Sequence, residues 1–224
     1  MSALNVFVTP DAVHLWTDGA GYDADGTLLS IEQKIAINGA MPAVIASRGS
    51  VLFLALLAEE AKNRHSTFDG LVGGAIDLVR TLTEMQAAPI LAACCAKELD
   101  FCFAGWSAER GRPEAYLLYN HETCGLPRWQ MIPIPSGAGM IQPSDDALLA
   151  RLRNRGFDPA GGAFDPVAHG AGIMREQRFP FRRPDGREIV AVGGFAQHTM
   201  LTRDAITTRV VERWPDRVGE KIAA

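Results

Sequence analysis

The chain has 224 residues, 47% of them hydrophobic and 21% charged, enough to bury a sizeable core as an ordinary globular protein. Its net charge of -4 leaves no basic excess to hold phosphate backbones, which argues against nucleic acid as a partner. No apolar run reaches the roughly 18 residues needed to span a bilayer, and the N-terminus lacks a basic segment followed by an apolar one. A cytoplasmic protein without signal peptide or membrane contact is therefore expected.

The chain opens with two alternating runs, LNVFV and AVHLWTD, joined by the turn residues TPD, which predicts an N-terminal hairpin. GYDADG follows as a loop. TLLSIEQKIAI has the β-branched content of one strand, and it carries Lys34 into the same sheet as Asp18. PAVIASRG is a short strand ending at Gly49. Ser50 then has the chemistry of an N-cap for VLFLALLAEEAKNRH, whose first half is apolar nearly all round. In FDGLVGGAIDLVRTLTEMQ, the residues Phe68, Val72, Ala75, Ile76, Val79 and Leu82 recur at the spacing of one helical face.

A second group of strands is expected in LDFCFAGWS, EAYLLYNH and RWQMIPIP, separated by turn signals. SDDALLARLRNRG is a helix capped by Ser144 and stopped by Gly156. DPVAHGAGIMREQRF is a weaker helix begun by Asp165 and Pro166. REIVAVGGFAQHTMLT and AITTRVVERW close the chain as strands. The segregated blocks, with no linker or repeat between them, predict an α+β fold in a single domain over 1–224, two antiparallel sheets face to face with helices outside.

Most chemistry-bearing residue types show no site spacing. Cys94, Cys95, Cys102 and Cys124 form no CxxC pair and suit buried thiols of a reducing compartment. His14, His65, His121, His169 and His198 lack metal-ligand spacing and are expected to be structural or at the surface. Arg182 and Arg183 beside Arg187 suit a solvated hairpin edge. The glycine pairs lack the context of a phosphate loop, and no metal or cofactor is expected.

One constellation stands out. Removal of Met1 would leave Ser2 with a free α-amine, titrating near 7.7–8.0 when unperturbed, on the same residue as a hydroxyl. Such a residue is a nucleophile with its own base. Asp18 follows Ser2 by 16 positions (18 − 2), and Lys34 follows Asp18 by 16 (34 − 18). A lysine beside the hydroxyl would stabilise the developing alkoxide, and a carboxylate would fix that lysine.

On these residues the chain resembles the proteasome-type subunits of the N-terminal nucleophile hydrolases. Ser2, Asp18 in WTDG and Lys34 in QKIAI match the family's nucleophile, aspartate and lysine. AVIASRGS resembles the strand whose closing glycine supplies an oxyanion N–H, at Gly49 or its neighbour Arg48. FCFAGWSAERGRPEAYLLYNHE resembles the central strand pair, IPSGAG the serine–glycine turn supporting the site, with Ser136 as candidate, and VGGFAQHTML the double-glycine strand. The resemblance implies a four-layer αββα sandwich and amide-bond hydrolysis, of peptides in the first instance. It also implies a homo-oligomer, in the family a ring. The chain departs from the family in using serine for threonine. REIVAV, ahead of Gly193, also lacks the family's aspartate and serine near the terminal amine, and Asp185 is wrongly spaced. Two alternatives stand beside the peptidase: a non-catalytic structural subunit and a small-molecule amidase of the wider superfamily.

Overall fold

The computed structural model describes residues 2–86, 98–123, 125–159, 161, 163–182 and 186–224. Expectations about Met1, Cys94, Cys95, Cys124, Arg183 and Asp185 lie outside them. The fold is mixed α/β, with helices and antiparallel sheets. One five-stranded sheet contains β1 (Leu4–Val8), β2 (Val13–Asp18), β10 (Gly139–Met140), β13 (Phe195–Leu201) and β14 (Ile206–Arg213), in the order β10-β1-β2-β13-β14. The other contains β5 (Ile35–Asn38), β6 (Ala43–Arg48), β7 (Asp100–Ser107), β8 (Arg112–Tyr119) and β9 (Ile132–Ile134), in chain order. Two small ribbons join β3 (Ala20–Tyr22) to β4 (Leu28–Ile31) and β11 (Pro180–Arg182) to β12 (Glu188–Val190).

Four α-helices are described: α1 (Val51–Arg64), α2 (Phe68–Thr81), α3 (Asp146–Asn154) and α4 (Pro166–Glu176). Their starts follow side-chain chemistry. Ser50 accepts from the Phe53 N–H, Thr67 from Gly70, and Asp165 from Val167 and Ala168 with Pro166 in the first turn. Asp145, not the expected Ser144, caps α3 by accepting from the Leu148 N–H at 2.6 Å. On α2 the buried face is rotated slightly from expectation, with Leu71 and Leu78 buried while Val72 and Ile76 are half-buried.

Strand alternation sorts the core. Leu4, Val6 and Val8 of β1 meet Val44, Ala46, Cys102, Ala104 and Leu117 of the second sheet in one apolar cluster. Phe7 turns the other way and joins Trp16, Leu148, Leu152, Ile173 and Met174, the last four from α3 and α4. Phe101 and Phe103 pack against Phe53, Leu57, Leu71 and Ala75 of α1 and α2. Each sheet thus packs apolar side chains on both faces, with the edge strand β14 left largely exposed. Cys102 is fully buried, and burial pushes its thiol up, so it is inert at neutral pH.

TLLSIEQKIAI is not one strand. It divides into β4 and β5, with Lys34 in the crossing between them, so Asp18 and Lys34 belong to neither the same strand pair nor the same sheet. Tertiary hydrogen bonds impose the break: the Glu32 N–H donates to the Gly19 carbonyl at 2.9 Å, and the Ser47 N–H to the Lys34 carbonyl at 3.1 Å. The expected strand REIVAVGGFAQHTMLT is similarly divided at Gly193 and Gly194 into β12 and β13. Among the described residues no helix is long and apolar enough to cross a membrane.

Candidate active site

The crossing at Lys34 brings its side chain under the start of β1. Lys34 Nζ donates to Asp18 Oδ1 at 2.7 Å and to the Ala20 carbonyl at 2.6 Å. Asp18 closes β2 with no exposure at all, and three backbone N–H groups converge on it. Ala3 donates to Oδ1 at 2.9 Å; Ala20 and Gly193 donate to Oδ2, each at 3.1 Å. The Ala3 amide and the Lys34 ammonium therefore share one carboxylate oxygen, and Ser2 is the residue whose carbonyl carbon bears that amide. Ser2 itself is 7% exposed. Ser2, Lys34, Ser47 and Gly49 line one cleft of about 290 Å³.

Burial is the largest influence on Lys34 and holds its ammonium below the usual lysine range. Asp18 opposes that shift, and the Arg48 cation reinforces it. A buried lysine near a cleft is a familiar proton-exchanging group, because its charge is costly to keep away from water.

Gly49 stands where β6 hands over to α1, with φ at +120°. A Cβ there would lie 2.6 Å from Leu99 Cδ2 and 2.8 Å from the Glu98 carbonyl oxygen, so both conformation and space demand glycine. Among the described residues its N–H has no acceptor. The N-terminus of the 14-residue α1 begins two residues later and adds a partial positive charge. Arg48, the other oxyanion candidate, turns its buried side chain away to Asp100 Oδ2 at 2.8 Å and Gln142 Oε1 at 2.7 Å.

Ser136 is not part of this constellation. It is exposed, in the turn after β9, where Gly137 N–H donates to the Val8 carbonyl at 2.8 Å. Val8 ends the strand that Ser2 precedes, so the turn lies about 20 Å away at the usual strand rise. The antiparallel pairing of β10 with β1, Phe7 opposite Gly139, fixes it at that far end.

Two features escaped the sequence reading. Glu32 lines the Ser2 cleft; its charge in an apparent strand gave no cue. His14 and His198 lie 184 positions apart, yet their rings stack and Nδ1 of one is 3.1 Å from Nε2 of the other, both buried. Only strand register, with β2 between β1 and β13, could have joined them.

No known family model matches the chain, and no curated protein sequence matches it significantly.

Proposed function

We propose that the chain is an amide-bond hydrolase of the N-terminal nucleophile class, proteasome-like, acting on peptides through Ser2 after removal of Met1. The observation that carries this reading is the buried Lys34–Asp18 pair, which shares one carboxylate oxygen with the amide of residue 3 and borders the same cleft as Ser2 and Gly49. The three apolar clusters, helix–sheet, sheet–sheet and sheet–helix, support the four-layer αββα arrangement that such a hydrolase would have.

In this mechanism Ser2 Oγ attacks the substrate carbonyl carbon while the α-amine of Ser2 takes the hydroxyl proton. Lys34, as an ammonium, stabilises the developing alkoxide, and Asp18 fixes Lys34. The Gly49 N–H, aided by the start of α1, receives the oxyanion. Collapse breaks the C–N bond, the departing amine takes the proton back, and water then cleaves the serine ester. A homo-oligomer, in ring form, belongs to the same reading, and light scattering at micromolar concentration tests it: a strict monomer would refute that part.

One observation favours a non-catalytic subunit instead. Asp18 joins Ala3, Ala20, Gly193 and Lys34 from four parts of the chain, a structural task complete without turnover. Intact mass and a peptide and amide panel separate the readings. The hydrolase lacks one methionine and loses turnover in Ser2→Ala; equal turnover by parent and variant would rule Ser2 out, and a preference for simple amides over peptides would indicate a small-molecule amidase.

A further inference from the structure

The Ser2 cleft holds a charge that the proposed chemistry leaves unused. Two charged side chains line it, Lys34 and Glu32. Lys34 is buried and answered by Asp18 at 2.7 Å. Glu32 is exposed; its Oε1 accepts from the Ser30 hydroxyl at 2.7 Å, and no cation among the described residues pairs with it. Lys34 feels Glu32 at longer range, but its close partner is Asp18, so the three charges together leave the cleft with one net negative charge.

The carboxylate is held rather than free to wander. Its backbone N–H is tied to the Gly19 carbonyl, and its side chain to Ser30, which pairs across the ribbon with Gly21. A Cβ on residue 21 would stand 2.4 Å from Ser30 Oγ and 3.3 Å from Glu32 Oε1. Glycine there leaves room beside the hydroxyl–carboxylate pair. Leu29, 59% exposed, and Leu52, 62% exposed, line the same cleft with Val51 and Tyr22. Aliphatic walls with one anion suit a side chain that has an apolar stem and a cationic head. At about 290 Å³ the cleft has room for one such side chain rather than several.

We infer that the cleft selects substrates with a lysine or arginine side chain next to the scissile amide, its stem against Leu29 and Leu52 and its cation on Glu32; the inference rests on Ser2 being the nucleophile. The test uses full-length protein with Met1 removed and four fluorogenic tripeptide amides ending in Arg, Lys, Leu or Asp. Arginyl and lysyl substrates are expected to exceed the leucyl one in kcat/KM by about tenfold. Glu32→Gln is expected to erase that advantage, mainly through KM, and Glu32→Arg to move preference to the aspartyl substrate. Ser2-dependent turnover that favours leucine, or an arginine preference untouched by Glu32→Gln, overturns the inference while leaving the hydrolase standing. If no substrate is cleaved, the hydrolase reading falls. Fluorescence anisotropy of a labelled arginyl tripeptide amide on Ser2→Ala protein then decides the pocket's chemistry. Tighter binding than the leucyl peptide, lost in Ser2→Ala/Glu32→Gln, supports it; equal binding of the two peptides overturns it.

Discussion

Two buried cations flank the double glycine, and they are built for different work. Asp18 accepts from the Gly193 N–H and pairs with Lys34; Asp216 accepts from the Gly194 N–H at 2.7 Å and pairs with Arg178. The Arg178 fork is engaged through both terminal nitrogens, one of which also donates to the Ala223 carbonyl. It meets both oxygens of Asp216 at 2.8 and 3.0 Å, the Val192 carbonyl at 3.0 Å, and the Trp214 ring at 4.5 Å. Neither partner lines the Ser2 cleft. Lys34 meets Asp18 through a single nitrogen, resists charging because it is buried, and borders open space. Burying a cation against a carboxylate thus serves geometry in one case and leaves a charge on the wall of a cleft in the other. The type of cation and its access to a cleft decide which.

The contrast breaks most sharply at Lys34. Lys34→Ala is expected to lower peptide turnover by about 10²–10³-fold, the usual worth of one group aimed at charge that develops in the transition state. Lys34→Arg keeps the charge but cannot set a single nitrogen between Asp18 Oδ1 and the Ala20 carbonyl, and it is expected to give no rescue. The parent's rate should rise with pH as the Ser2 α-amine, near 7.7–8.0 when unperturbed, loses its proton, and fall again as the Lys34 ammonium loses its own below the ordinary lysine range, since burial disfavours that charge. Steady-state kinetics with circular dichroism as the folding control check all three; full activity in Lys34→Arg would mean that the placing of the Lys34 nitrogen does not matter.

At the clamp the loss should appear in stability instead. Asp216→Ala leaves Arg178 buried without its carboxylate, which is expected to cost about 3–5 kcal/mol. Urea unfolding measures it, and the folded fraction should keep far more of its turnover than Lys34→Ala does. Were turnover to fall as steeply, the two pairs would share one function.

Acid separates the clamp from the histidine pair. Burial, then the neighbouring His14, lowers His198 from 6.5 to about 4. Between those values the unfolded chain binds more protons than the folded one, so stability falls as pH drops from about 6.5 to 4. Burial pushes the Asp216 carboxyl upward, but the Arg178 hydrogen bonds and the Gly194 N–H outweigh it and leave it depressed. Its contribution is present above about pH 4, the ordinary carboxylate value, and is lost as pH falls through the lower folded pKa. His198→Gln should flatten the upper limb of a urea-midpoint profile and leave the lower one; Asp216→Asn should do the reverse.

These differences also mark what was legible in the sequence. The first hairpin, the caps Ser50 and Asp165, and the pairing of Asp18 with Lys34 were readable because local chemistry or fixed spacing announced them. The path by which Lys34 arrives was not. Residues 27–37 contain no glycine or proline, and only contacts to Gly19 and Ser47, distant in sequence, bend the chain there. Glu32 had the look of a solvated strand charge until that bend placed it on the cleft. Asp216 sits in WPDR, past the last strand, where nothing local links it to Arg178, 38 positions earlier.

The smallest expected effect tests the two ends of β1. Ser136 has a plausible sequence context, but the turn that carries it is bound to Val8, at the end of the strand remote from Ser2. It is exposed, and the turn's hydrogen bonds to Val8 and Pro135 come from the backbone of Gly137 and Ala138. Ser136→Ala removes neither bond and should shift stability by no more than about 0.5 kcal/mol. Peptide turnover should match the parent within error, because the hydroxyl has no route to Lys34 or Gly49 except through the length of a strand anchored on both faces. A clear loss of turnover with unchanged stability would mean that a second copy of the chain brings its own turn to this cleft. The active unit would then be the oligomer, and the contrast between the ends of β1 would hold within one subunit only.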